Sequence, residues 1–462
     1  MRILQYLPGL PPIMGGGMIK YALDLAQGES IMGHEVTLLV PGHFTHFHKN
    51  KTKIIKKRWN KKEFYSIVNP LPVTCGKGIS EPLKLIQEGN AHVYAVFLEK
   101  IRPEIIHVHS FMGIHLTFLE EATRLKIPVV YTTHDYYGIC PKAILLKNTL
   151  LCTMSDGSQC FNCIEETTNI KKLKWHQSLL YEILKNNRFI NYLEYSQNLV
   201  PIKICIKSLL KKKEKLKAAS ENHIQTIQKE YNYSIIRDYY KKMFAHITIF
   251  HYNSKQSKEI FTQYLNDITG KVIPISNRAI SDKRKIREFG KILRIGFIGR
   301  EVYKGFELLE DALDSLYTDG LQDFECHVYF NPKKKLPSYI ISHAPYNEKA
   351  MEQIFDGMDI LVLPSLWKET YGLVVLEALS RGIPVIVSQN VGAKELLVNH
   401  KGIGIIIEAT KKALTEALEN IYQNRDLLRQ MNWKICKSNL ELDYDKHVQK
   451  IVSMYQSISD IN

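Results

Sequence analysis

Two doubly wound α/β domains facing each other across a crevice are what this sequence predicts, on three observations. Residues 1–40 run strand, glycine turn, helix, strand. A second such series begins near residue 291, and a charged stretch nearly free of apolar residues separates the two around 278–290. Alternating strands and helices build parallel sheets covered on both faces, and such sheets bind ligands beyond the carboxyl ends of their strands. A length of 462 residues fits two or three domains at about 100 to 200 residues each.

The elements follow in order. RILQYLP is a first strand, Gly15-Gly16-Gly17 a turn, Met18 to Met32 a helix and Gly33 to Val40 a second strand. Strands at 105–109 and 128–133 bracket an amphipathic helix near 112–126. Residues 138–245 read as an insertion, Cys-bearing at its start and helical and basic later, so the first domain is expected over 1–280. The second, over 281–442, has strands LRIGFIGR (293–300), 324–330, 359–365 and 384–388, with helices near 304–317, 347–356 and 371–381. Residues 443–462 are expected to form a C-terminal helix packing back on the first domain.

Hydrophobic content of 45% and charged content of 24% are those of ordinary globular proteins. There is no apolar run of the length a membrane-spanning helix needs, and Pro8 breaks the first apolar stretch too early for a signal peptide. A cytoplasmic chain with reduced cysteines is the expectation. The net charge of +15 is concentrated: residues 49–62 carry eight Lys/Arg and no acid, and 171–217 carry twelve against three Glu. The interleaved aromatic signatures of RNA and DNA modules are absent, so no nucleic-acid partner is expected. An anionic membrane surface, placing the protein on the inner face of the membrane, or an acidic acceptor explains these segments better. Within them Ile54, Ile55 and Trp59, and Trp175, Leu179 and Ile183 at i, i+4 spacing, suggest amphipathic surfaces.

The strongest chemical signal is Pro364-Ser365-Leu366-Trp367-Lys368-Glu369-Thr370-Tyr371-Gly372-Leu373, continuing to Glu377 and then Gly382-Ile383-Pro384. One glutamate stands in a loop after a strand and the other two turns into the next helix. A helix starting near Tyr371 would aim the N–H groups of Tyr371, Gly372 and Leu373 at the strand ends, an anion site suited to a diphosphate. Carboxylates in this setting each accept two hydroxyl hydrogen bonds. A pair of Glu eight apart is otherwise an ordinary feature of a helix surface; the strand, Pro-Ser, aromatic-Gly and Gly-x-Pro around it are what single it out. This stretch closely resembles the E-x7-E signature of family 4 glycosyltransferases, enzymes of the two-domain GT-B architecture.

The resemblance runs from the first glycine turn to the C-terminal helix and is weakest over about 165–245. It implies retention of anomeric configuration, a nucleotide-sugar donor, Glu369 on the transferred sugar and Glu377 on the ribose. It further implies that Arg300 and Lys304 neutralise the leaving diphosphate, although their spacing is shorter than in some members. Gly16 and Gly17 would face the donor phosphates, and His134, just past a strand end, would touch the reacting sugar. His109 is a weaker candidate at a neighbouring strand end. The nucleobase is expected near His343 and Tyr346, without discrimination between bases.

Cys140, Cys152, Cys160 and Cys163 could close a structural zinc site, free or buried thiols being the equal alternative. Cys75, Cys205, Cys326 and Cys436 are isolated and read as buried hydrophobes. No cofactor is expected for catalysis, since fixed cations replace a metal ion and no Asp-x-Asp ends a strand. A front-face departure of the phosphate is preferred because no nucleophile is identifiable. The acceptor is expected to be a glycan or a lipid-linked molecule, in cell-surface polysaccharide or glycoconjugate synthesis. The rival readings are an epimerase or phosphorylase on the same architecture, or a non-catalytic sugar-nucleotide or membrane-binding module.

Overall fold

The computed structural model describes residues 1–45, 51–74, 78–79, 81–147, 150–152, 160–163, 168–186, 222–299, 302–332, 334–346 and 350–459. Strands β1 (Arg2–Tyr6), β2 (Glu35–Pro41), β3 (Lys53–Trp59), β4 (Lys62–Val68), β5 (Ile105–Val108), β6 (Val129–Thr132), β7 (Ile249–Tyr252) and β8 (Gly270–Val272) form the first sheet. Their order is β8-β7-β6-β5-β1-β2-β4-β3, parallel except for the β3–β4 hairpin. Strands β5, β6 and β7 are buried along their whole length, as parallel strands covered on both faces must be. Half of the basic run at 49–62 is thus the edge strand β3, with Lys53, Lys56 and Arg58 exposed and Ile54, Ile55 and Trp59 partly covered. Charges on such an edge oppose pairing with another chain.

The second sheet comprises β9 (Leu293–Phe297), β10 (Phe324–Val328), β11 (Ile340–Ser342), β12 (Ile360–Leu363), β13 (Val385–Ser388) and β14 (Gly404–Ile407). All five pairings are parallel. The order β11-β10-β9-β12-β13-β14 is the doubly wound 3-2-1-4-5-6 arrangement, whose switch point lies between β9 and β12. In the first sheet the direction of winding reverses beside β1, which pairs with both β2 and β5. In doubly wound sheets ligands bind at places of this kind.

Three local expectations need correction. The stretch 281–290 is no free linker: Arg284 donates to the carbonyls of Ile435 and Ser438, the Arg287 amide donates to Asn432 Oδ1, and Phe289 is buried. The Arg284 charge meets the C-terminal end of the helix Asp426–Lys437, where cations complement unpaired carbonyls and the helix dipole, and the Arg287 guanidinium meets the carbonyls of Phe355, Asp356 and Met358. Trp175 and Leu179 do not share one helix, because Ile170–His176 and Leu179–Asn186 are separate; Trp175, Leu179 and Ile183 are each 47% exposed. The helix expected from 371 begins at Leu373, with Gly372 as its cap at φ 92°.

The long helix Asn222–Ala245 buries Tyr233, Ile236, Tyr240, Met243 and Phe244 against the first core. The C-terminal helix Tyr444–Ser459 lies along the helix Gly17–Ile31 of the first domain. The approach is close: a Cβ at Gly28 would stand 2.6 Å from Val448 Cγ2.

Candidate active site

The two halves of the Glu-bearing motif sit at the switch point of the second sheet. The loop after β12 carries Ser365, Trp367 and Glu369, and the turn after β9 carries Lys304 at the end of a single 3-10 turn, Val302–Lys304. Glu369 is 6% exposed; Oε1 pairs with Lys304 Nζ, and Oε2 accepts from Ser365 Oγ at 2.7 Å. Lys304 Nζ also lies 5.9 Å from the Trp367 ring centre. The two groups assigned to sugar and diphosphate therefore hold each other, a preorganised ion pair in a dry site. Gly372 is required where it stands: a side chain would need a left-handed backbone, and its Cβ would meet Val391 Cγ1 at 2.8 Å. The helix Leu373–Leu379 begins immediately after it with its first N–H groups unbonded within the helix. Tyr371 contributes no exposed side chain, since its ring is packed in the core and its carbonyl accepts from the Ala393 amide.

Glu377 is buried one turn further on. Its Oε1 accepts from Asn277 Nδ2 at 2.9 Å and its Oε2 from Tyr346 Oη at 3.2 Å. Burial raises the carboxyl above its usual range, against the lowering effects of Asn277, Lys20, Tyr346 and Arg381. The expected base-binding Tyr346 and ribose-binding Glu377 are thus neighbours. His343 is differently placed: its ring stacks on Tyr329 at 4.9 Å and its Nε2 is 2.9 Å from His327 Nδ1. Arg300 lies outside the described residues. Asn277 escaped sequence reasoning because it lies 100 positions from its partner.

On the facing domain, Gly15, Gly16 and Gly17 are exposed, and Gly16 caps the helix Gly17–Ile31 at φ 111°. Against Tyr21 of that helix, at 5.1 Å between ring centres, His134 places its Nε2 2.9 Å from His109 Nδ1, and His109 Nε2 is 2.8 Å from Gln5 Oε1. Burial and neighbouring imidazoles hold both histidines neutral, well below the usual range. The carbonyl of Gln5 can only accept, so His109 carries its proton on Nε2 and receives one from His134 Nε2–H. His134 therefore keeps a lone pair on Nδ1 and can accept a hydroxyl proton.

The same reasoning runs deeper. His251 Nε2 donates to the Ile273 carbonyl at 2.8 Å, so its Nδ1 accepts from Thr132 Oγ1. Thr132 in turn accepts from His107 Nε2 at 2.6 Å, and His107 Nδ1, 2.6 Å from Tyr455 Oη, takes the tyrosine proton. Tyr455 Oη also stands 2.9 Å from Glu29 Oε1, which must then supply a proton of its own. Consistently, burial pushes the Glu29 carboxyl up to about 8. Gln5 Nε2 donates to both oxygens of Glu29 and so joins the two branches.

Hydrogen bonds clamp the Glu369 loop onto the first domain. Thr370 Oγ1 donates to the His134 carbonyl at 2.8 Å, Tyr136 Oη to the Lys368 carbonyl at 2.6 Å, Ser254 Oγ to the Thr370 carbonyl at 2.7 Å and Gln256 Nε2 to the Glu369 carbonyl at 3.0 Å. The backbone of His134 is thereby tied to the residue that follows Glu369.

The four clustered cysteines lie elsewhere. Cys140 and Cys160 are buried in the first core, Cys163 Sγ donates to the Leu146 carbonyl, and Arg237 donates to Cys160 Sγ. Burial raises the thiols of Cys140 and Cys160, the latter to about 11. Among the described residues no group of three or more His, Cys, Asp or Glu is arranged to hold a metal ion. Cys326 is fully buried, Cys436 is half-buried, and Cys75 and Cys205 lie outside the described residues.

Two doubly wound domains with a charged pair at the second switch point and a polar histidine site at the first define a GT-B glycosyltransferase architecture. The chain belongs to this family: residues 15–151 match Glycosyltransferase Family 4 and residues 333–435 match Glycosyl transferases group 1. The whole chain is similar in fold to a sucrose-phosphate synthase from Thermosynechococcus elongatus, with a TM-score of 0.58, 13% identity and 100% of both chains covered. Similar too is Anabaena HepE in complex with UDP and glucose, with a TM-score of 0.56, 13% identity and 99% and 100% covered. At such identities these structures speak for the fold. In sequence, the chain is 25% identical over 302 residues to an uncharacterized 42.6 kDa protein in the cps region of Klebsiella pneumoniae, covering 64% of this chain and 60% of that protein. The chain thus spans less than two thirds of this curated relative. No helix among the described residues is long and apolar enough to cross a membrane.

Proposed function

We propose that this chain transfers a sugar, with retention, from a nucleotide-diphosphate sugar to a glycan or lipid-linked acceptor in cell-surface polysaccharide synthesis. The observation that carries the reading is the constellation at the second switch point: Glu369 paired with Lys304 and bonded to Ser365, beside Glu377 bonded to Asn277 and Tyr346. A sugar entering there exchanges its hydroxyls for Lys304 at Glu369. The freed ammonium then meets the departing diphosphate together with the N–H groups at Gly372 and Leu373, and Arg300 supplies a second cation. Glu377 takes the ribose. His134, with its lone pair on Nδ1, accepts a hydroxyl of the sugar or acceptor. Charge neutralisation by the chain's own cations makes a metal ion unnecessary for the chemistry. A UDP- and glucose-bound structural neighbour and a relative in a cps region support a nucleotide-sugar donor and a polysaccharide setting.

The test is a thermal-shift panel of nucleoside diphosphates and nucleotide sugars, followed by product analysis with the one that binds. A stabilising nucleotide sugar, and a product with the donor's anomeric configuration, are expected. An inverted product would overturn retention, and the absence of any nucleotide response would overturn the donor assignment.

A further inference from the structure

A second cavity, of about 350 Å³, lies in the first domain at the carboxyl ends of β1 and β2. One wall is the loop 8–14 that follows β1, a second is the β3–β4 hairpin, and a third is the helix Ile170–His176 with the residues after it. The lining is mainly apolar, with Leu10, Met14, Val40, Trp59, Phe64 and Leu173. Trp59 is held in place by its indole N–H, which donates to the Pro11 carbonyl at 2.7 Å. Three buried polar atoms of lining residues, His43 Nδ1, Thr74 Oγ1 and Gln177 Nε2, have no hydrogen-bond partner among the described residues; Thr74 is only 2% exposed. Buried polar atoms of this kind are costly unless something pairs with them. Lys57 and Lys172 line the cavity with one carboxylate, Glu182, which takes Lys57 on both oxygens, while the Arg58 side chain is 79% exposed and lies 3.9 Å from Glu63 Oε1. Beside it Ile13, Trp175, Leu179, Leu180 and Ile183 are 39% to 53% exposed, an apolar margin on the same elements.

We infer that this cavity receives the acceptor, and that the acceptor is a lipid phosphate whose hydrocarbon chain enters the apolar space while its phosphate meets Lys172. The inference rests on the transferase reading above and names its acceptor. Apolar walls select a chain, and the exposed Lys172 selects an anionic head. The exposed margin gives the rest of the lipid a route to a bilayer surface. The cavity opens at the strand ends that also carry the glycine turn, so an acceptor seated here is on the reacting side of the sheet.

Calorimetric titration of the full chain with hexyl, octyl and decyl phosphate, each below its micellar concentration, tests this. Affinity should rise about threefold to fourfold per methylene that enters the cavity. Decyl glucoside and inorganic phosphate should each bind at least about tenfold more weakly than decyl phosphate. Ile13→Glu and Lys172→Glu, both at the surface, should weaken decyl phosphate at least about tenfold and leave the nucleotide that responds in the thermal-shift panel unaffected. A flat chain-length series, equal binding of decyl glucoside, or preference for a free oligosaccharide would overturn the lipid-phosphate assignment while nucleotide binding left the transferase reading standing. Loss of nucleotide binding in the wild type would instead remove the reading on which it rests.

Discussion

Replacing Glu29 by Gln tests the proton inventory behind His134. The hydrogen-bond chain from the Ile273 carbonyl to Tyr455 leaves Glu29 Oε1 no role but donor, so the native carboxyl is protonated. Below pH 4.5 both folded and unfolded chains hold this proton, and its stabilisation is present in full. Between 4.5 and about 8 the unfolded chain releases it and the folded chain does not, so stability falls as pH rises; above about 8 the slope ends. A carboxyl displaced from 4.5 to about 8 withdraws about 5 kcal/mol over that window, at about 1.4 kcal/mol per unit. Gln reproduces the protonated acid, with its amide N–H donating to Tyr455 and its oxygen accepting from Gln5, and has no proton to lose. Urea unfolding of wild type and Glu29→Gln at half-unit intervals from pH 5 to 8.5 measures the difference. His107, His109, His134, His251 and His447, all held below their usual range by burial, contribute the opposite slope below about 6.5 and cancel in that difference. The variant should gain on the wild type by several kcal/mol across the window. Parallel curves would mean that Glu29 is ionised and that the assigned direction of every bond back to His251 is wrong.

Other outcomes follow from the same geometry. Glu369→Ala and Arg300→Ala should each lower kcat at least about 10²-fold with unchanged circular dichroism; near wild-type turnover in either would remove that residue from the site. Glu377→Gln should raise KM for the donor about tenfold to a hundredfold, the loss of one charge-assisted hydrogen bond of about 1.5 to 3 kcal/mol, with kcat changed far less; a selective fall in kcat would contradict a ribose contact. Transfer should continue in excess chelator, and an absolute need for Mg²⁺ or Mn²⁺ would overturn the fixed-cation mechanism, while zinc below about 0.1 per chain by elemental analysis would dispose of the cysteine site. Co-sedimentation with anionic vesicles should weaken in Lys56→Glu/Arg58→Glu and in high salt; indifference of the wild type to anionic lipid at low salt would assign the basic edge strand to another role.

What was legible from the chain alone is what short-range geometry dictates. Glu369 and Glu377 could be placed because a strand, a loop and a helix in succession carry both to one sheet end, and their spacing needs no distant partner. The helix start was misread by two residues because Gly372 was taken into the helix, whereas its left-handed backbone is the cap. Composition misled at 281–290: a run of charges resembles a solvated linker, and only the fold shows Arg284 bonded to the carbonyls of Ile435 and Ser438 and the Arg287 guanidinium to those of Phe355, Asp356 and Met358. His134 followed from the strand-end rule, but the partners that determine its tautomer come from β1, β5 and the C-terminal helix, with Gln5 and Tyr455 separated by 450 positions. The two domains therefore differ in how their chemistry is encoded. The pair proposed to recognise the donor is local and reads out as a motif. His134 is set by a buried network that draws on both chain ends, so changes at Glu29 or Tyr455 should act on it through proton positions while leaving every motif residue intact.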